Sequence, residues 1–264
     1  MPSARIHRAI VFAIELGETM YRRLRHEGIS RTADRLRLRV SERFPDSGLS
    51  KVAAELADIA RGAELRAAEI VEPIAWLRNT VYTGIAILLA ICVVVLVKYR
   101  PGMGNYDLAH FVQILDGAMN VAVLSGGAIF SLVTIENRVR RSRALKAAHE
   151  LRAVAHVIDM HQLTKDPDRV MGATSPTEHS PDVKLTPAGL TRYLNYCTEM
   201  LSLIGKIGAY YVQDFDDPVA IESINDLESL TTGLSQKMWQ KIMIVHQSLD
   251  ITPAPKKRSS RARE

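Results

Sequence analysis

Four titratable side chains of metal-binding type lie within one short stretch of the sequence: His149, His156, Asp159 and His161. A metal site needs three or four ligands that converge on one point. On a helix, His149 and His156 share a face but lie about 10 Å apart along the axis, and His161 lies about 140° around the axis from His156. Only His156 and Asp159 could share an ion, and a third ligand is missing. We therefore expect no metal here and interpret the cluster as a His156–Asp159 pair that ties this helix to others, or as a solvated face.

The sequence contains no motif that indicates catalysis or cofactor binding. No P-loop, GxGxxG, GxSxG, HExxH, CxxC or EF-hand pattern occurs, and the glycines are scattered. Cys92 lies in an apolar run that could span a membrane and Cys197 lies in a predicted soluble helix, so the bilayer boundary would separate them and no disulfide framework is expected. We therefore expect a non-enzymatic protein with no catalytic residue, cofactor or metal.

Two long apolar runs organise the rest of the chain. Residues 81–97 read VYTGIAILLAICVVVLV and residues 118–135 read AMNVAVLSGGAIFSLVTI, and neither run contains a charge. About 20 apolar residues, and at least about 17, are needed for a helix to cross the hydrocarbon core of a bilayer. The sequence therefore predicts an all-α integral membrane protein with a two-helix transmembrane hairpin, whose spans are residues 74–98 and 118–135.

The flanks of the two runs predict the orientation. Eight basic residues precede the first run or follow the second: Arg61, Arg66, Arg78, Arg138, Arg140, Arg141, Arg143 and Lys146. Between the two spans, the connecting loop of residues 99–117 holds only Arg100, and Lys98 directly precedes it. Under the positive-inside rule both termini are cytoplasmic and this short loop is external. The last five of the eight are expected to meet the anionic headgroups of the inner leaflet. Arg outnumbers Lys and Ala is abundant, which favours a bacterium with a GC-rich genome and hence the inner membrane.

The N-terminal cytoplasmic region, residues 1–73, is predicted to be helical. In residues 3–27 an apolar stripe has the 3–4 spacing of a helix face and comprises Ile6, Ile10, Ala13, Gly17, Met20 and Leu24. This helix either lies on the inner leaflet or packs on neighbouring helices. Gly28 is predicted to end it, and residues 30–43 are predicted to form a shorter helix. Ser50 is predicted to cap a third helix, and Pro73 is predicted to break the chain at the membrane entrance.

The C-terminal region is predicted to form a helical bundle. Residues 136–164 are expected to extend the second span as a helix, residues 165–186 to form a flexible linker, and residues 187–250 to form a helical hairpin. Thr186–Pro187 and Asp217–Pro218 have the cap-and-proline pattern of helix starts. A heptad-like apolar face follows the first start: Leu190, Leu194, Cys197, Leu201, Ile204, Gly208 and Tyr211. Residues 251–264 form a basic tail, which is expected to be disordered.

Within the spans, two sets of residues are candidates for contacts. Small residues at four-residue spacing predict close helix packing, within the hairpin or between subunits: Ala86, Ala90, Ala118, Ala122 and Gly126. Three polar residues share one face of the second span and would line a pore: Asn120, Ser131 and Thr134. Hydroxyl groups also bond to their own backbone, so the polar face is the weaker signal.

Two functions fit this organisation. The first is a membrane-anchored scaffold, adaptor or regulatory protein that self-associates and binds an unknown cytoplasmic protein. The second is an oligomeric pore or channel-like effector. The net charge of +5, from 34 basic and 29 acidic residues, is too small to indicate nucleic-acid binding. In layout alone the chain resembles the two-span helical effector proteins of bacterial conflict systems, but no motif carries that resemblance.

Overall fold

The computed structural model describes residues 23–98, 108–175, 177–180 and 185–251, and every regular element in these ranges is a helix. The protein is therefore all-α in its described part, as the sequence predicted. The helices are α1 (His26–Arg43), α2 (Gly48–Val71), α3 (Ala75–Lys98), α4 (Leu108–Leu163), α5 (Pro167–Val170), α6 (Pro187–Val212) and α7 (Pro218–Ile251). Most of the predicted N-terminal helix, residues 3–22, and nearly all of the predicted basic tail lie outside the described residues.

The predicted starts of α6 and α7 are confirmed. The Thr186 hydroxyl accepts a hydrogen bond from the Gly189 amide at 3.1 Å, and an Asp217 carboxylate oxygen accepts one from the Ala220 amide at 3.0 Å. Each cap satisfies a backbone N–H that has no partner inside the helix, and each is followed by a proline that needs none.

Two predicted boundaries in the N-terminal region are wrong. Gly28 does not end a helix but lies in the first turn of α1, after a break at residues 23–25. The residue that caps α2 is Ser47, whose hydroxyl accepts from the Ser50 amide at 3.1 Å. Sequence alone does not choose between two serines three residues apart, because either can serve as a cap.

The long helix α4 includes the end of the segment that connects the two apolar runs. It begins at Leu108, inside residues 99–117, and runs for 56 residues without a break. Residues 99–107 lie outside the described residues. No proline occurs between Leu108 and Pro167, and Gly117 alone costs a helix only about 1 kcal/mol. The predicted loop, second span and extension therefore share one helix from Leu108 onward.

The predicted flexible linker, residues 165–186, also contains regular structure. Asp166 caps the short helix α5 by accepting from the Asp168 amide at 3.1 Å, and Pro167 is buried. Helix α5 packs against α6 and α7. This part of the linker is held in place because it buries an apolar ring and satisfies its own helix start.

The chain divides into two compact units. We call residues 68–144 the apolar unit, and the described part of residues 23–67 and 145–251 the bundle unit. From the sequence, the N-terminal region and the C-terminal bundle were predicted as separate regions. In the structure, the described helices of both regions belong to the bundle unit. Its core includes all seven residues of the predicted α6 face and much of α7: Ile224, Leu227, Leu234, Met238, Ile242 and Val245.

Helices α1 and α6 run antiparallel in the bundle unit. At one end the Phe44 and Tyr193 rings lie 5.4 Å apart, edge to face. At the other end Gln213 Oε1 accepts from the Leu24 amide at 2.7 Å. On the α7 side of α6, a Cβ at Gly208 would lie 3.0 Å from Leu227 Cδ2. The missing side chain at Gly208 thus lets these two helices approach closely.

In the apolar unit, α3 lies beside the α4 residues of that unit. A groove of about 330 Å³ separates them and is lined by Gly84 and Leu88 of α3 and by Ser125 and Ala128 of α4. The described residues contain one helix, within Met119–Val170, that is long and apolar enough to cross a membrane by length and composition. Residues 79–88 form a shorter apolar helical segment.

Candidate functional site

The break at Pro73 is the site where charged side chains converge on exposed backbone groups. Helix α2 ends at Val71 and α3 begins at Ala75, so the last carbonyls of α2 lack partners inside the helix. Arg143 Nη1 donates to the Glu69 carbonyl at 2.7 Å and to the Glu72 carbonyl at 3.3 Å. These bonds cap the C-terminal end of α2.

Two further α4 side chains complete this arrangement. Arg140 Nε donates to the Ile70 carbonyl at 3.4 Å, and Glu136 Oε1 accepts from the Ile74 amide at 3.4 Å. We define the Pro73 junction as residues 69–74 together with Glu136, Arg140 and Arg143. The α4 residues are spaced by four and three, which places all three on one helix face.

In the Pro73 junction, positively charged side chains lie beside backbone carbonyls and a negatively charged one lies beside a backbone amide. A helix C-terminus carries partial negative charge, so guanidinium groups are favourable beside it. The amide of Ile74, just beyond the proline, instead meets a carboxylate. The Pro73 junction fixes the direction of the chain at the break.

The predicted headgroup-binding residues divide into two groups. Arg138 and Lys146 are exposed. Arg140 and Arg143 bond to backbone carbonyls of the protein, and Arg141 also interacts within the chain. Contact of these five residues with lipid stays a prediction. The role of these residues at α2 was not predicted from the sequence, and neither was that of Glu136. The spacing of Glu136, Arg140 and Arg143 places them on one helix face, which was the available signal.

The histidine cluster does not converge in the structure. His149 and His156 are exposed, and the Asp159 carboxylate accepts from Gln162 Nε2 at 2.8 Å. The His161 ring instead lies against Gly48 at the start of α2. Among the described residues, no three His, Cys, Asp or Glu side chains are arranged to hold a metal ion.

A second polar cluster caps the end of α4 in the bundle unit. Lys241 Nζ donates to the carbonyls of Gln162 at 3.0 Å and Lys165 at 3.2 Å. Partial burial lowers the pKa of Lys241, and the Asp166 and Asp159 carboxylates oppose that shift. The amide oxygen of Gln162 is buried without a hydrogen-bond partner. The cluster therefore acts as a helix cap that links α7 to α4.

Cys197 lies in the core near this cluster. Burial raises the pKa of its thiol to about 12, and Lys241 partly offsets the shift. A thiol attacks as its thiolate, so Cys197 is unsuited to nucleophilic chemistry near neutral pH. Burial likewise raises the pKa of the neighbouring Tyr193 hydroxyl.

The predicted span-packing residues do not line the groove between α3 and α4. Ala86, Ala90, Ala122 and Gly126 are exposed, and a Cβ on Gly126 would meet no atom within 4 Å. The side chain of Ala118 lies outside the described residues. Their packing stays a prediction. Gly84, which does line the groove, was missed because it stands alone in its span.

The predicted polar face is exposed but largely satisfied by its own helix. Asn120, Ser131 and Thr134 are all exposed. The Thr134 hydroxyl donates to the Phe130 carbonyl at 2.8 Å, and Asn120 Nδ2 lies 3.5 Å from Asp116 Oδ2. Such local bonds let polar residues sit on an apolar helix without an aqueous path.

Comparison with protein-family models, curated proteins and solved structures gives no match for this chain.

Proposed function

We propose that this chain is a membrane-anchored, non-enzymatic scaffold or regulatory protein of a bacterial inner membrane, which self-associates and presents a cytoplasmic helical bundle to a protein partner. The observation that carries the proposal is the exposed apolar surface of the apolar unit. The exposed fractions of Val123, Leu124 and Phe130 are 71%, 75% and 75%. Water-soluble monomers rarely expose contiguous apolar patches of more than a few hundred Å², whereas lipid accommodates them.

The lengths of the helices support a two-span anchor. Helix α3 has 24 residues and is therefore about 36 Å long, which exceeds a hydrocarbon core of about 30 Å. The apolar window of α4 has a mean hydropathy of 1.5, and none of it is buried. In this proposal residues 74–98 and 118–135 form the transmembrane hairpin, and both termini are cytoplasmic.

The small residues of the spans support self-association. Four small residues are exposed and do not line the intramolecular groove: Ala86 and Ala90 on α3, and Ala122 and Gly126 on α4. Small residues let helix backbones approach closely in lipid, where the hydrophobic effect does not drive association. A second copy of the hairpin is the partner that we propose for these faces.

Fusions of alkaline phosphatase, which is active only outside the cytoplasm, test the anchor. We expect activity for a fusion at Gly104 and none for a fusion at the C-terminus. The reverse pattern would overturn the orientation, and equal activity at both sites would overturn the two-span anchor. The mass of the protein in nanodiscs then tests self-association: we expect a dimer or larger assembly, and a monomer would contradict it.

An oligomeric pore is the second candidate, supported by the exposure of Asn120, Ser131 and Thr134 on α4. Two spans cannot enclose a conduit alone, so this function requires a ring of several subunits. The Asn120→Leu variant should then change ion flux through liposomes, with Val133→Leu, which is exposed on the same helix but off the polar face, as a control. Unchanged flux in Asn120→Leu, or a dimeric mass, would remove the pore and leave the scaffold.

A further inference from the structure

The groove between α3 and α4 in the apolar unit is an exposed apolar surface. Two of the residues that line it, Ile87 and Leu124, are 56% and 75% exposed. The described residues that line it carry no charge. Its two hydroxyl groups, of Thr80 and Ser125, donate to carbonyls of their own helices at 2.9 Å and 2.6 Å. The groove therefore offers apolar contact, and its hydroxyl groups already have partners.

The dimensions of the groove fit a single extended chain better than a helix. Its lining residues run from Thr80 to Leu88 on α3 and from Leu124 to Leu132 on α4, which is about 12 Å along each helix. A volume of about 330 Å³ over that length gives a mean cross-section of roughly 27 Å². An α-helix with its side chains is at least about 10 Å across and needs roughly 80 Å². A hydrocarbon chain, whose methylene groups follow one another in single file, is the narrower occupant.

A positively charged side chain lies beyond one end of the groove on the same face of α4. Arg143 follows Leu132 by eleven residues, which places the two within about 20° around the helix and about 16 Å apart along it. Arg143 is exposed, and only its Nη1 group donates to the carbonyls of Glu69 and Glu72. Its other N–H groups are therefore available to an anion. Side chains lean toward the N-terminus of their helix, which for Arg143 is the direction of the groove.

We propose that the groove binds one acyl chain of an anionic phospholipid whose phosphate is bound by Arg143. The proposal rests on the membrane anchor proposed above, because a bilayer supplies this ligand. Charge complementarity identifies the lipid: its phosphate accepts from the guanidinium group, and its acyl chain covers the uncharged lining between α3 and α4. The small residues proposed to contact a second copy do not line the groove, so the lipid and the second copy bind at different faces.

Photocrosslinking of the full chain in nanodiscs locates the bound acyl chain. The discs consist of phosphatidylcholine with a minor share of phosphatidylglycerol that carries a diazirine in one acyl chain, and mass spectrometry of the peptides locates the adducts. Leu124 lines the groove, whereas Val123 and Phe130 do not, although the exposed fractions of the three are similar at 75%, 71% and 75%. We expect adducts on Leu124 to outnumber those on Val123 and Phe130 severalfold.

A pair of glycine variants tests whether the groove itself holds the chain. Gly84 lines the groove and Gly127 does not, and a Cβ on either residue meets no atom within 4 Å. The Gly84→Leu side chain fills the groove, so it should lower the yield of Leu124 adducts severalfold. Gly127→Leu makes the same substitution outside the groove and should leave that yield unchanged. The comparison of Leu124 with Val123 and Phe130 in the unmodified chain does not depend on either variant.

The headgroup contact is tested with a second lipid and a second pair of variants. Phosphatidylcholine carries a cation next to its phosphate, so moving the diazirine to this lipid should lower the yield of Leu124 adducts about fivefold, the factor expected for one headgroup contact of a basic residue. Arg143→Gln should lower the yield from phosphatidylglycerol by the same factor. Arg138→Gln should not, because Arg138 is exposed about 120° around α4 from Leu132.

Each alternative gives a different pattern of adducts. An even yield on Leu124, Val123 and Phe130 would mean a shell of lipid without a site. Adducts on Val123 and Phe130 with none on Leu124 would assign the groove to a second copy. Equal yields from the two lipids, or an unchanged yield in Arg143→Gln, would remove the headgroup contact. Each of these results overturns the proposal while active phosphatase at Gly104 still supports the anchor, whereas no adduct anywhere in residues 74–135 would contradict both.

Discussion

The contact between Gly48, the first residue of α2, and His161, near the end of α4, allows a direct test of how the bundle unit is assembled. A Cβ on Gly48 would overlap the His161 ring, with Nδ1 at 2.9 Å and Nε2 at 3.0 Å. The ring must therefore move in a Gly48→Ala variant. Overpacking of this kind costs roughly 1–3 kcal/mol. Because only the end of one half-buried side chain has to move, we expect Gly48→Ala to lower the free energy of unfolding by about 1 kcal/mol, or the Tm by roughly 2–4 °C for a unit of this size.

Thermal unfolding of the full chain in mild detergent, followed by circular dichroism, measures this effect. The Gly48→Ala/His161→Ala double variant should recover most of the lost stability, because the added methyl group then meets no ring. Gly62→Ala is the matched control in the same helix, where an added Cβ meets no atom within 4 Å. It should raise stability by roughly 0.5–1 kcal/mol through helix propensity. Equal stability of Gly48→Ala and wild type, or no coupling with His161, would refute the contact.

Two further predictions concern the Pro73 junction and the buried thiol. The Arg143→Gln variant should speed hydrogen exchange of the backbone amides in the last turn of α2, because the cap on the carbonyls of that turn is lost. The exposed neighbour Arg138→Gln should not, and equal exchange in both variants would contradict the cap. Above pH 9.0, the unfolded thiol of Cys197 ionises while the native thiol, with its pKa near 12, stays protonated, so stability falls as pH rises from 9.0 toward 12. At about pH 10.5 the loss is roughly 2 kcal/mol, at 1.36 kcal/mol per pH unit. A Cys197→Ala variant should show a shallower alkaline decline in urea unfolding, and an identical decline would rule out this cause.

Features that depend on local sequence were predicted from the residues. The seven-residue face of α6 repeats with helix periodicity, and all of its members are buried. Thr186 and Asp217 precede prolines and cap the helices that follow. These signals are short-range, because a helix face and a cap involve residues within a few turns of each other.

The partners of each helix were not predicted, because they depend on contacts between distant residues. Nothing in the sequence around Gly48 indicates that a histidine 113 residues later lies against it. Likewise Arg66 bonds to Glu150 at 2.8 Å across the bundle unit. An apolar stripe indicates that a helix has a buried face, but it does not identify the helix that packs against that face, because many different helices could cover the same stripe. The N-terminal region and the C-terminal bundle were therefore treated as separate when their described helices share a core.

The Pro73 junction bears on the proposed orientation in a specific way. Arg140 and Arg143 were counted among the eight basic residues that favour cytoplasmic termini, and both bond to carbonyls near the end of α2. These bonds form in the folded protein, whereas the positive-inside bias acts on the chain as its flanks are retained during insertion. The two arginines can therefore act at two stages. During insertion their charges resist translocation, and after folding they cap the end of α2. Substituting both with glutamine should weaken the Pro73 junction, yet six of the eight basic residues remain against two in or directly before the loop. We expect the phosphatase fusion at Gly104 to keep its activity in that variant, and loss of this activity would mean that the Pro73 junction itself is needed for the hairpin to insert.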